Sequence, residues 1–203
     1  GAFKFIPRGT SFAADVTYPI ANLTSSSTGL TIGNTTNNKN ITINQSVTGA
    51  AGIELYGNNV NINANLKTTS SGNMYLKGNT TIASANYIES NGNFTHDGNL
   101  LFKSDATGTA AFGTLGGTFT KVSGVATVER YVPAKRGWRL LTAPLKGSTA
   151  NTINDNWRQS VTGEGLLLFS PATYQSTTMT GYTTGGGMPN IWNYNNGWQK
   201  IAN

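Results

Sequence analysis

The chain has 203 residues, a formal net charge of +6, one histidine and no cysteine. The absence of cysteine excludes disulfides and thiolate metal sites, and no apolar run approaches the roughly 18 residues that span a bilayer. Only 11% of residues are charged, against about 25% in an ordinary globular chain. The basic excess therefore reflects scarce carboxylates, and without a dense run of Lys and Arg no nucleic-acid partner is expected. Twenty-five asparagines, with many Thr, Ser and Gly, fill the gap. This composition suits short strands and tight turns, because Asn and Gly tolerate left-handed backbone angles.

In chain order, Gly1 to about Ala21 carries Phe3, Phe5, Ile6, Phe12 and Tyr18. It is expected to cap the first coil of a repeat region, since open strand edges invite aggregation. That region runs from about Leu30 to Phe102, where short alternating segments are separated by Gly and Asn clusters. Leu30–Ile32, Ile41–Ile43, Ile53–Leu55, Val60–Ile62 and Met74–Leu76 each show the period-two mark of a half-buried strand. Ile41 and Ile43 are echoed by Val60 and Ile62, then by Thr80 and Ile82. Ile53 and Leu55 are echoed by Met74 and Leu76, then by Phe94 and His96. The echoes fall 19 to 21 residues apart, which marks a stacked repeat and predicts a parallel β-helix with about 20 residues per coil. One coil buries too few aliphatic side chains to offset the ordering of its backbone, so only a stack is viable.

The register follows residue by residue. Ile43, Ile62 and Ile82 are expected in one inward stack. Leu55 and Leu76 form another, beside Ile53, Met74 and Phe94. Thr42, Asn61 and Thr81 face outward, as do Glu54, Tyr75 and Thr95, and Tyr56, Lys77 and Asp97. Lys77 and Asp97 are expected to pair, for under about 1 kcal/mol if exposed. Thr80 and His96 interrupt the inward pattern, predicting a register slip or looser coils there. Gly108 to Val128 reads as the last coils or a transition.

Residues 1–128 are thus assigned to the β-helix with its N-terminal cap, and residues 129–203 to a second, β-sandwich-like domain that holds all four tryptophans. Trp138–Leu141 and Gly165–Ser170 read as buried strands. Ile191–Ile201 reads as a hairpin about the Asn196-Gly197 turn. Gly at position 1, the lack of a signal peptide and the stop just after Trp198–Ile201 lead us to expect a processed or partial chain, with the second domain incomplete.

The run Val128-Glu129-Arg130-Tyr131-Val132-Pro133-Ala134-Lys135-Arg136-Gly137-Trp138-Arg139-Leu140-Leu141-Thr142-Ala143-Pro144 resembles a motif of large cell-surface proteins from gliding and related Bacteroidetes bacteria. Asn156-Trp157 and the Trp192–Trp198 hairpin fit the same family, so the resemblance covers about Val122 to Ile201. The repeat region is similar to haemagglutinin-style β-helices. The resemblance implies an exported adhesin-like protein, carried by the type IX secretion machinery and displayed at or released from the cell surface. Family members usually end in a C-terminal sorting domain, which this chain does not show.

Chemistry-bearing residues are few. His96 is the sole histidine and does not form a His-rich metal site alone. The eight carboxylates (Asp15, Glu54, Glu89, Asp97, Asp105, Glu129, Asp155 and Glu164) are scattered. Only Glu54 and Asp97 are expected on one face, two coils apart and in different columns, as the candidate pair for a glycosidase. The Gly-Gly-x-Gly-x-Asp calcium repeat is absent, so no metal or cofactor is expected. Arg130, Lys135, Arg136 and Arg139, the one basic cluster, are expected to bridge the two domains, their stems packed on apolar surface, with a polyanion site as the alternative. Trp192, Tyr194 and Trp198 share one face of the hairpin by alternation, either packed in a core or offered as a glycan-stacking platform. The expected function is non-enzymatic, in adhesion or surface display towards glycans or other surfaces. A carbohydrate-active enzyme or binding module using the solenoid face is the alternative.

Overall fold

The computed structural model describes residues 3–18 and 29–131 and, beyond them, four short strands. The chain divides into two compact units, Gly1–Lys135 and Arg136–Asn203. Every regular element among the described residues is a strand, and no helix there is long and apolar enough to cross a membrane.

The first unit is a parallel β-solenoid with about 22 residues per coil. Its first coil carries β1 (Phe3–Phe5) and β2 (Val16–Tyr18). The second carries β3 (Leu30–Ile32), β4 (Ile41–Ile43) and β5 (Val47–Gly49). In the third, β6 (Gly52–Ile62) bends round a corner before β7 (Leu66–Thr68). In the fourth, β8 (Asn73–Ile82) does the same before β9 (Tyr87–Ser90). The fifth has β10 (Phe94–Asp97), β11 (Leu100–Phe102), a hairpin of β12 (Ser104–Asp105) and β13 (Gly108–Thr109), and β14 (Ala111–Leu115). The last has β15 (Phe119–Ser123) and β16 (Ala126–Val128).

Three sheet faces result. The first runs β1-β3-β6-β8-β10-β15. The second runs β2-β4-β6-β8-β11-β16, and the third β5-β7-β9-β14. The expected columns are present as parallel registers: Ile43–Ile62–Ile82, Ile53–Met74–Phe94, and Leu55–Leu76. Their side chains are almost wholly excluded from water and form one core cluster. The coil exceeds the expected twenty residues because outer coils carry insertions. Residues 34–39 lengthen one corner, and β12–β13 juts from the fifth coil.

The N-terminal segment, expected as a cap, is itself a coil in the stack. β1 pairs with β3 and β2 with β4, both parallel. Tyr18 is buried, Phe12 and Val16 pack partly on the core, and Phe5 stacks on Phe12 at 5.1 Å. Asn37 fills the enlarged corner. Its Nδ2 donates to the Tyr56 carbonyl at 2.7 Å, and its Oδ1 accepts from Ser11 Oγ at 2.9 Å, replacing backbone partners that the insertion removes.

Thr80 and His96 do not loosen their coils. Both are buried and keep register with the coil below. Register shifts do lie beside both: between Tyr56 and Asn59, where β6 pairs with β8 at the corner just before Thr80, and between His96 and Asp97, where β10 pairs with β15. Lys77 and Asp97 are neighbours in register, as expected, but form no ion pair. Lys77 Nζ donates instead to the Thr35 carbonyl at 2.8 Å. Among the described residues the one salt bridge is Lys67–Glu89, 3.0 Å, on the third face.

Corners are held by amides and hydroxyls. Asn40 Oδ1 accepts from Asn59 N and Nδ2, Asn79 Oδ1 from Asn99 N, and Asn99 Oδ1 from Val125 N. Asn73 and Asn93 repeat the device at another corner, towards Asn93 N and Thr118 N. These ladders explain the richness in asparagine, since each side chain satisfies a corner N–H that no strand partner reaches. Thr68, fully buried, does so from inside. Its Oγ1 donates to the Gly72 carbonyl at 2.6 Å and accepts from Asn91 N at 2.9 Å. Thr68→Val strands Asn91 N, while the Gly72 carbonyl keeps Gly92 N as a donor, and is expected to cost about 1–3 kcal/mol. Thr80→Val, which removes only a 3.3 Å contact to the Gly78 carbonyl, is expected to cost under about 1 kcal/mol. Urea unfolding of the two variants checks the contrast, and equal losses would refute this account of the corner.

In the second unit, β17 (Leu168–Phe169) pairs in parallel with β18 (Tyr182–Thr183). β19 (Trp192–Tyr194) pairs antiparallel with β20 (Trp198–Lys200). The first falls within the expected Gly165–Ser170 strand and the second is the expected hairpin. The sandwich arrangement, the Trp138–Leu141 strand and the junction residues Lys135, Arg136 and Arg139 lie outside the described residues. Of the basic cluster Arg130 is described, and its Nη1 donates to the Glu129 carbonyl at 3.1 Å.

Candidate functional site

The first sheet face carries outward aromatic and charged side chains side by side. Alternation along each strand and register between strands build two outward columns. Thr31, Glu54, Tyr75, Thr95 and Thr120 form one. Tyr56, Lys77, Asp97 and Ser123 form the other. At its centre the half-buried rings of Tyr56 and Tyr75 lie 5.3 Å apart at 43°.

The carboxylates border these rings. Glu54 Oε2 accepts from Thr31 Oγ1 at 3.3 Å and from the Tyr56 hydroxyl at 3.4 Å. Asp97 Oδ1 accepts from Ser123 Oγ at 2.6 Å. Partial burial, aided by Glu54 and the neighbouring Tyr75, raises the Tyr56 pKa. Burial, then Asp97 and Glu54, raises that of Tyr75. Both hydroxyls therefore remain neutral donors well above neutral pH. The patch offers aromatic surface, two hydroxyl donors, carboxylate acceptors and an ammonium group on one flat sheet.

Glu54 and Asp97 share this face two rungs apart and in different columns, as expected. At the ordinary strand spacing their backbone positions are separated by roughly 11 Å, with Tyr75 and Lys77 between them. The other described carboxylates also have neighbours. Asp15 accepts from Asn40 N and Nδ2, which lowers its pKa. Glu89 pairs with Lys67, Asp105 accepts from Thr107, and Glu129 accepts from Ser104 N. No group of three His, Asp or Glu residues suited to a metal ion occurs among the described residues. His96 is in the core, not on this face.

Trp192, Tyr194 and Trp198 lie in the other unit, on β19 and β20. Tyr194 stands opposite Trp198, and Trp192 opposite Lys200. This is the register that one shared aromatic face requires, while their side-chain surroundings lie outside the described residues. The Tyr56–Tyr75 pair is the element that motif-based reading passes over. Its available signal was two tyrosines at outward positions of successive coils, one column apart. Comparison with family models, with curated proteins and with solved structures finds no match to this chain.

Proposed function

We propose that this protein is a non-enzymatic, exported cell-surface protein that serves adhesion or display, with the first solenoid face as a glycan-contacting surface. The observation that carries the reading is the Tyr56–Tyr75 pair set among Glu54, Lys77, Asp97 and Thr31 on a rigid parallel sheet. Sugars are held by aromatic contact together with a few well-placed polar groups, and a sheet holds such groups at fixed spacing. The engagement of Glu54 and Asp97 each with a neighbouring hydroxyl supports binding over hydrolysis. Export through the type IX machinery, and presentation at the surface or release from it, rest on the resemblance of the Val128–Pro144 run.

A glycan array probed with the full chain tests the reading. Binding without turnover is expected, and Tyr56→Ala and Tyr75→Ala are each expected to weaken it about tenfold, as truncation of a contact tyrosine does. Trp192→Ala and Trp198→Ala report separately on the hairpin. Cleavage of a bound glycan, lost in Glu54→Gln, would instead establish the carbohydrate-active alternative. Retention of the protein inside cells that lack a working type IX apparatus tests the route of export.

A further inference from the structure

We propose that His96 makes the C-terminal end of the solenoid acid-sensitive: a proton taken up by its imidazole favours a state in which β15 and β16 have come off β10 and β11. His96 is 0% exposed, and neither Nδ1 nor Nε2 has a hydrogen-bond partner among the described residues. It ends the inward column Ile32–Leu55–Leu76–His96, with the exposed Lys121 next in register on β15. Leu76 lies beneath it, and the Phe94 ring is 6.3 Å away on its own strand.

Of the surrounding charges, Asp97 favours a proton and Lys121 opposes it more weakly, so it is burial that keeps the imidazole neutral. Lys121, next in register on β15, is a cation beside it. Asp97 follows on β10, but its carboxylate faces outward to Ser123. On β8, Tyr75 is neutral and Lys77 reaches the Thr35 carbonyl. On β9, Glu89 is paired with Lys67. β11 and β14 carry no titratable side chain. Burial holds the imidazole pKa below its ordinary value. Asp97 and the Gly98 backbone oppose this more weakly, and Lys121 adds to the lowering.

The last coil is the element whose loss exposes this group. Below His96 lie four further coils. Above it, among the described residues, lie β15 and β16 alone, joined by two ladders, one of which shifts register beside His96 itself. Every residue of β15 is exposed. Opening this coil is therefore the shortest route from a buried to a hydrated imidazole. An imidazole whose folded-state pKa is depressed adds stability above its unfolded value of about 6.5. That stability is lost as pH falls from there towards the folded value. The inference is independent of glycan binding and survives the failure of that reading.

Hydrogen exchange followed by mass spectrometry on the full chain, at pH 7.5 and pH 5.0, tests it. After allowance for intrinsic rates, amides of residues 119–128 are expected to lose protection about tenfold to thirtyfold at pH 5.0, the upper figure being the limit for a group of unfolded pKa about 6.5. Amides of β6 and β7 are expected to hold theirs. His96→Leu abolishes the acid effect, and His96→Met serves the same purpose where leucine does not fold. An unchanged profile in the wild type overturns the proposal, as does a loss spread evenly over all coils or one that persists in both variants. An imidazole titrating near 6.5 in the folded protein, read by NMR, overturns it as well.

Discussion

Gly78→Ala is expected to destabilise the solenoid by about 3–5 kcal/mol, the sum of a disallowed backbone conformation and an overpacked corner. Gly78 sits where β8 turns from the first face to the second, at φ +113°. A methyl group there would fall inside contact distance of the Gly57 carbonyl oxygen on the coil below, with the Asn58 carbonyl oxygen at 2.8 Å. The obstacle is backbone, so no flexible side chain yields. The same corner recurs at Gly98, φ +136°, and Gly124, φ +75°, each pressed against the preceding member of the column. A Cβ cannot be accommodated without parting two coils. Gly9→Ala is the control, since nothing lies within 4 Å of its added carbon and its cost is expected within about 0.5 kcal/mol. Urea midpoints of both variants check the contrast. A Gly78→Ala protein as stable as the control would mean that the corners do not stack.

The same corner shows why part of this architecture is legible in the amino-acid order. Gly78-Asn79 and Gly98-Asn99 recur because one residue must take positive φ and the next must satisfy the N–H of the following rung. The inward columns are equally legible where both faces of a strand obey simple polarity, as in Ile41-Thr42-Ile43 and Val60-Asn61-Ile62. Legibility ends where geometry overrules polarity. His96 and Thr80 look like breaks in the pattern, yet the ladders on either side hold them inward, and a slip would expose every apolar neighbour on the strand. The third face carries no alternating signature. Val47, Leu66 and Ile88 supply one apolar residue per strand, and the next inward positions are Gly49, Thr68 and Ser90. Those small or hydroxyl residues serve the turn into the next coil rather than the core, so their identity reports hydrogen bonding and not strand character. The outer coils escape a fixed period because residues 34–39 and the β12–β13 hairpin shift their echoes. Of the candidate site, Glu54, Tyr75 and Asp97 are legible as outward residues. The meeting of Tyr56 with Tyr75 is not, since it depends on a diagonal between two columns and on the rotamers of both rings.

Ile62→Ala carries the second large effect, expected at about 4 kcal/mol, towards the upper end for an aliphatic residue cut to alanine in a core. Ile62 is 0% exposed and lies midway in the column Tyr18–Ile43–Ile62–Ile82–Phe102–Val128. What decides the magnitude is how far the surroundings can relax into the void. Here β6 is hydrogen-bonded in parallel to β4 on one side and to β8 on the other, so the rungs above and below cannot close without breaking ladders that are otherwise intact. A stack is also nearly one-dimensional, so a defect in a middle coil weakens its coupling to both neighbours at once. Val128→Ala, at the half-buried end of the same column, removes a smaller side chain with one neighbour and is expected to cost about 1 kcal/mol. Denaturant titration followed by circular dichroism distinguishes the two. A steeper loss at Ile62, accompanied by a shallower transition as the halves decouple, is the expected result. Equal losses at the centre and the end would show that the coils fold as independent units rather than as one cooperative stack.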